Sequence, residues 1–183
     1  AVAKVTKLPV ILYNILGRTS VNLQTSTLMR LIEKNKNIVA VKEASGDIMQ
    51  MMEVLKSVPD YFSVLSGDDG LTYPLITLGG HGVVSVLSNI MPAETNEFVQ
   101  AALKGDFAKA RKLHFKLLPK MQGCFIGGNP VAIKTALSQK GLIKPNFRLP
   151  LTIGTKEEQE KIKSIFKVRA LTHYLEYVVT STI

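Results

Sequence analysis

Four short apolar runs, each ending in polar or glycine-rich residues and each followed by a helical pattern, limit what the first half of this chain can become. The runs are Leu8-Pro9-Val10-Ile11-Leu12-Tyr13, Ile38-Val39-Ala40-Val41-Lys42, Phe62-Ser63-Val64-Leu65-Ser66 and Gly82-Val83-Val84-Ser85-Val86. They are mostly continuous rather than alternating, which is the pattern of parallel strands covered on both faces. Helical spacing fills the intervals, at about 24–34 (Leu28, Leu31, Ile32), 47–57 (Ile48, Met51, Met52, Leu55) and 69–78 (Leu71, Leu75, Leu78). Asn37, Pro59-Asp60 and Gly79-Gly80 punctuate the returns. Repeated strand–helix units with right-handed crossovers place the chain in the α/β class.

After Met91-Pro92 the strands stop. Residues 93–103 read as a helix, and Gly105-Asp106 breaks it and caps another at about 106–121. Asn129-Pro130 opens a helix ending near Gly141. Thr155 with Glu158 forms a capping-box pattern that opens a last helix to about Phe166. The expected organisation is a βα region over 1–90, a helical region over 91–166, and a tail over 167–183. The tail is rich in β-branched and tyrosine residues and reads equally as a strand, a docked extension or a foreign segment.

Composition narrows the function classes. A chain of 183 residues can bury a real core. Its single cysteine, Cys124, excludes an intrachain disulfide framework and suits a reducing compartment. No apolar run reaches the ~18 residues of a membrane span, and the opening residues do not read as a signal peptide. The first residue is Ala1 rather than Met, which leads us to expect that the chain begins within something longer. The net charge of +9 is dispersed. Its densest stretch, Lys104 to Lys120, alternates basic with apolar residues at helical spacing, as on a solvated helix face. Attraction of small anionic substrates remains an alternative use of that charge. Nucleic-acid signatures are missing from the sequence, so a nucleic-acid partner is not expected, nor is a membrane one.

The carboxyl ends of parallel strands form the functional rim of α/β sheets. Here they present Tyr13-Asn14, Lys42-Glu43, Ser66-Gly67-Asp68-Asp69 and Ser85-Val86. Neighbouring strands lie about 4.8 Å apart, so sequential units would set Tyr13 and Lys42 over one pocket. Lysine closing a buried strand has two readings. Desolvation disfavours an ammonium, leaving an amine that can attack a ketone and form a Schiff base; alternatively Lys42 pairs with Glu43 or reaches solvent. Tyr13 either exchanges protons beside that amine or is a buried aromatic with a satisfied hydroxyl. Arg18 suits bidentate capture of a carboxylate, or a surface ion pair. Asp68 and Asp69 read as structural residues at a helix start. His81 precedes the fourth strand and so lies at the opposite rim. With one cysteine and no close histidine pair, no metal site is expected.

Together these residues resemble one family. Tyr13-Asn14-Ile15-Leu16-Gly17-Arg18-Thr19 is similar to the tyrosine–asparagine…arginine–threonine motif of the dihydrodipicolinate synthases. Val41-Lys42-Glu43-Ala44-Ser45-Gly46-Asp47 is similar to their Schiff-base lysine segment. Ser66-Gly67-Asp68-Asp69, Gly79 to Val86, Asn129-Pro130 with Lys134, and Arg148-Leu149-Pro150 follow in the family's order. The lysine block alone marks the wider class I aldolases, and Arg18 tilts the match to this member. The resemblance covers about residues 4–166. It implies the C-terminal half of a (β/α)8 barrel, four βα units long, followed by a C-terminal helical domain. It implies a lyase condensing pyruvate with L-aspartate 4-semialdehyde on the diaminopimelate route to lysine, cytoplasmic (plastid in a plant), with no cofactor beyond the covalent imine. By that resemblance Lys42 forms the pyruvate imine, Tyr13 relays protons, Arg18 binds the semialdehyde carboxylate, and Gly67 and the main chain of Val84 line the pyruvate site. A homotetramer is the family's usual assembly. With the first four strands expected to lie before Ala1, impaired turnover is expected of this chain. The alternatives are another pyruvate-dependent aldolase acting on a 2-keto-3-deoxy sugar acid, and a non-catalytic truncated homologue that associates with full-length subunits.

Overall fold

The computed structural model describes residues 1–167. Apart from Lys167, the tail over 167–183 lies outside the described residues, and His173 with it. A short helix α1 (Val2–Val5) leads into β1 (Val10–Asn14), α2 (Leu16–Thr19), α3 (Thr25–Lys34), β2 (Ile38–Glu43), α4 (Ile48–Ser57), β3 (Ser63–Ser66), α5 (Thr72–Thr77) and β4 (Gly82–Val83). Helices α6 (Pro92–Leu103), α7 (Phe107–Gly123), α8 (Val131–Gln139) and α9 (Lys156–Phe166) follow. The four strands form one sheet in the order β1-β2-β3-β4, every pair parallel. The α/β class and the sequential parallel units therefore stand as the sequence predicts.

Strand ends differ from the sequence reading for local reasons. β1 starts at Val10 rather than Leu8, because Pro9 has no N–H to give a ladder and Leu8 N–H turns to Thr6 Oγ1 at 3.1 Å. The ladder opens instead where Val10 N–H donates to Asn37 O at 2.7 Å. β3 begins at Ser63, since Phe62 N–H closes a turn onto Pro59 O at 2.8 Å. β4 is only two residues rather than five. It pairs on one side, with β3, and the chain then leaves into a 3-10 turn at Leu87–Asn89. The single helix expected over 69–78 is split into a 3-10 turn, Asp69–Leu71, and α5. Asp68 accepts Gly70 N–H at 2.7 Å and sets the tight first turn, and Pro74 sits early in α5, where it has no helical partner to lose.

Two compact units divide the chain, one of residues 1–85 with 93–114, the other of 86–92 and the described chain from Phe115. In the first unit the core lies on one face of the sheet. Val41, Val64 and Phe62 pack with Leu28 and Ile32 of α3, Met51 and Val54 of α4, and Leu75 of α5. Asp47 starts α4 by accepting Met49 N–H at 2.9 Å and Gln50 N–H at 3.3 Å, which fixes which stripe of that helix meets the sheet. Gly80 is needed for close approach, as a Cβ there would lie 2.7 Å from Leu75 Cγ. Ile76 continues inward to Ala101, Ala102 and Ala110 of α6 and α7.

The other sheet face is open at β1. Ile11 is 53% exposed and Tyr13 49%, which corrects the expectation of strands covered on both faces. A continuous apolar run reads the same whether one face or two are packed.

The second unit joins α8 to α9. Gln139 Nε2 donates to Gln159 O at 2.9 Å, and Gln159 Nε2 donates to Gly154 O at 2.7 Å. The capping box is formed as its sequence predicts: Glu158 N–H donates to Thr155 Oγ1 at 3.2 Å and Thr155 N–H to Glu158 Oε2 at 2.7 Å. Among the described residues no helix is long and apolar enough to cross a membrane.

Two outcomes test this packing. Met51 is fully buried, so Met51→Ala is expected to cost about 2–5 kcal/mol in urea unfolding. His114 lies buried beside Phe98 and Tyr73, and burial holds its imidazole below the ordinary value. A histidine lowered on folding contributes fully above its unfolded value of about 6.5 and loses that contribution as pH falls toward the folded value. The urea midpoint is expected to fall between pH 7.5 and pH 5.5, and His114→Phe to flatten that fall.

Candidate active site

The site follows from the pleat and the register. β1 and β2 pair so that Tyr13 stands beside Lys42 and Asn14 beside Glu43. β2 and β3 pair Lys42 with Leu65 and Glu43 with Ser66. Successive side chains of a strand point to opposite faces, so Tyr13 and Lys42 share one face, Asn14 and Glu43 the other. The ladder runs past the strand ends. Ala44 N–H donates to Asn14 O at 2.8 Å, Gly67 N–H to Glu43 O at 2.8 Å, and Val84 N–H to Ser66 O at 2.9 Å. These bonds align Asn14, Ala44, Gly67 and Val84 along one carboxyl rim.

On the open face the Lys42 amine lies 4.0 Å from the centroid of the Tyr13 ring. Lys42 is half-buried. Its stem runs across Gly67, where an added Cβ would come within 3.1 Å of Lys42 Cγ and Cε and 2.6 Å of Ala44 Cβ. Glycine at 67 is therefore the condition for the stem to lie where it does. In the sequence Gly67 is only a glycine after the third strand, 25 residues beyond Lys42, so the contact is found only by the fold.

The pairing of Lys42 with Glu43 is excluded by the same pleat. Glu43 is 1% exposed and turned to the helix side. Its carboxylate accepts from Asn14 Nδ2 at 3.1 and 3.4 Å, from Ser45 N–H at 2.6 Å and from Gln50 Nε2 at 3.5 Å. This buried amide cluster, completed by Asn22, is absent from the sequence reading. Its one signal was the polar pair Asn14 and Glu43, each directly following a candidate site residue.

The remaining candidates are placed as follows. Arg18 lies exposed on α2, four residues beyond the end of β1. The short helix is a second feature the sequence reading lacks; Thr19 Oγ1 stops it by bonding Ile15 O at 3.0 Å and Val21 O at 3.0 Å. Val84 contributes main chain at the rim, with its side chain exposed. His81 lies at the far end of the sheet, where its Nδ1 accepts Val64 N–H at 3.1 Å and its main-chain N–H donates to Val64 O at 2.9 Å. Those two hydrogen bonds are a structural role. Asp68 likewise serves the turn after β3. Among the described residues no group of three histidine, cysteine or acidic side chains stands close enough to hold a metal ion.

Comparison with known proteins gives consistent relatives. The Dihydrodipicolinate synthetase family matches residues 1–169. The 4-hydroxy-tetrahydrodipicolinate synthase of Phocaeicola vulgatus is 46% identical over 172 residues, covering 92% of this chain and 58% of the relative. The crystal structure of dihydrodipicolinate synthase from Aquifex aeolicus superposes with a TM-score of 0.89 at 42% identity, over 91% of this chain and 57% of that one. The chloride-inhibited dihydrodipicolinate synthase of Acinetobacter baumannii, solved with pyruvate, superposes with a TM-score of 0.87 at 36% identity, over 91% of this chain and 57% of that one. The chain thus spans somewhat over half the length of the relatives it matches. A family match over nearly the whole chain, with the strand-end lysine and tyrosine set together on one face, establishes that this chain belongs to the dihydrodipicolinate synthetase family.

Proposed function

We propose that this chain carries the imine-forming half of a 4-hydroxy-tetrahydrodipicolinate synthase, a lyase that condenses pyruvate with L-aspartate 4-semialdehyde on the diaminopimelate route to lysine. The observation that carries the reading is the Lys42 amine lying 4.0 Å from the Tyr13 ring centroid at the carboxyl rim of a parallel sheet. Four parallel strands in sequential order, open on one face, support reading the sheet as half of a (β/α)8 barrel, followed by a helical region. A family member solved with pyruvate supports the choice of first substrate.

In this reading the Lys42 amine attacks C2 of pyruvate and water leaves, giving an imine. Loss of a C3 proton makes an enamine, whose C3 forms the new bond to the aldehyde carbon of the second substrate. The imine nitrogen receives the electron pair at the proton loss, so no metal or organic cofactor is called for. The Tyr13 hydroxyl gives and takes the protons these steps require. Arg18, exposed on α2, holds the semialdehyde carboxylate. Gly67 and the Val84 main chain border the pyruvate position. Assembly follows the family's homotetramer. The chain by itself turns over slowly, because the open face admits water to the imine and returns it to lysine and pyruvate.

Incubation with pyruvate and borohydride is the direct test. Intact mass is expected to rise by one reduced pyruvyl group, peptide mapping to place it on Lys42, and Lys42→Arg to abolish it. A folded sample with no adduct would overturn the proposal. Gly67→Ala presses a methyl against Lys42 and Ala44, an overpacking expected to cost about 1–3 kcal/mol in unfolding and to slow adduct formation about 10-fold or more.

A further inference from the structure

The amide cluster beneath the rim has no part in the chemistry just proposed, yet it is tied to the two strands that carry Tyr13 and Lys42 and to the segment that bears Arg18. β1 pairs with β2 alone among the described strands, and their register shifts between Val10 and Ile11. Beyond that shift the pairing is regular to Asn14, and Ala44 N–H donates to Asn14 O at 2.8 Å, so main chain holds the end of β1. The Asn14 side chain adds a second hold on the helix-side face. Its Nδ2 donates to Glu43 Oε2 at 3.1 Å and to Asn22 Oδ1 at 2.9 Å, and its Oδ1 accepts Leu23 N–H at 2.9 Å. These bonds pin the end of β1 to β2 and fasten the far side of the segment that bears Arg18. Gln50, in the first turn of α4, exchanges bonds with Asn22 at 2.7 and 3.2 Å and holds the cluster to that helix.

Glu43 is the centre of the arrangement. It receives only donors, from Asn14, Ser45 and Gln50, and each of these partners is neutral. A carboxylate fits such a site because it is all acceptor. Glutamine of the same shape would turn an N–H into a ring of N–H groups. Because Tyr13 and Asn14 are consecutive on β1, and Lys42 and Glu43 consecutive on β2, a shift of Asn14 against Glu43 carries the Tyr13 ring off the Lys42 amine.

We propose that Glu43, acting through Asn14, is a positioning residue that seats the Tyr13 ring on the Lys42 amine and so sets the rate of imine formation. The rate part rests on the proposed lyase reading; the geometric part does not. Two measurements separate them. The first uses the 183-residue chain reductively methylated with 13C-formaldehyde, with the Lys42 dimethylamine resonance identified by its loss in Lys42→Arg. At 4.0 Å from the ring centroid these methyls feel the Tyr13 ring current and are shifted upfield. Glu43→Gln is expected to move the resonance at least halfway to that of exposed lysines. Asn14→Asp with Glu43→Gln restores a donor facing an acceptor at that contact, with the Asn22 and Gln50 amides turned over together so that Asn22 Nδ2 donates to the new carboxylate, and is expected to return it. The second measurement, on unmethylated protein, is the rate of borohydride-trapped adduct against pyruvate concentration. Glu43→Gln is expected to lower the saturating rate about 10-fold, with half-saturation changed less than about 2-fold, and the double variant to recover it.

A folded Glu43→Gln chain in which either the resonance or the saturating rate stays at the parent value overturns the proposal. A parent chain that gives no adduct sinks the lyase reading, and the resonance then decides the geometry alone. Should Glu43→Gln lose its cooperative melt, the double variant decides: parent-like resonance supports the proposal, and an exposed-lysine resonance or failure to fold overturns it.

Discussion

The parallel register of β1 and β2 at their carboxyl ends governs the rest of the site. It sets Tyr13 beside Lys42 and Asn14 beside Glu43, and the pleat then sends the two pairs to opposite faces. One face receives an amine and an aromatic ring, partly open to water. The other receives a carboxylate and three amides, nearly dry. A buried carboxylate without a cationic partner carries a desolvation cost of several kcal/mol. Here the bonds from Asn14, Ser45 and Gln50 offset it, the short one from Ser45 N–H at 2.6 Å foremost. The cluster thereby adds a side-chain hold to strand ends that the main-chain ladder already pairs.

How far this was legible in the sequence depends on the range of the interaction. Leu28, Ile32, Met51 and Leu75 announce themselves by helical spacing, and all four are buried in the core. The strand centres are likewise readable, because apolar runs between turn residues have few other uses. Strand ends depend on which carbonyl lies opposite, as Asn37 O does for Val10, and nothing local to the run records that. α2 has four residues and no period to detect. Asn14, Asn22 and Gln50 look like ordinary turn and surface residues until the fold brings positions 14, 22, 43 and 50 together.

The densest basic stretch lies on the solvated side of one helix and the turn before it. Lys104, Lys109, Arg111, Lys112 and Lys116 are exposed, and Lys109 bridges Glu97 at 2.9 Å. An exposed pair of this kind contributes about 0–1 kcal/mol. Lys109, Arg111, Lys112 and Lys116 form the wet side of α7, with Lys104 in the turn before it, while Ala110 and His114 of the same helix turn inward to α5 and α6.

The one-sided core and the strand-end site make different demands on the chain. Packing of α3, α4 and α5 against Val41 and Val64 holds the sheet from behind and needs nothing on the face that carries Lys42. The juxtaposition of Lys42 and Tyr13 needs only the β1–β2 register and the clearance at Gly67, both internal to the first unit. In the lyase reading proposed above, forming a bond to a ketone draws on local geometry that this unit supplies. Keeping water from the product of that bond draws on cover over Ile11 and Tyr13, which are about half exposed. The two requirements are physically separable, so under the proposed reading imine formation and efficient turnover need not rise and fall together.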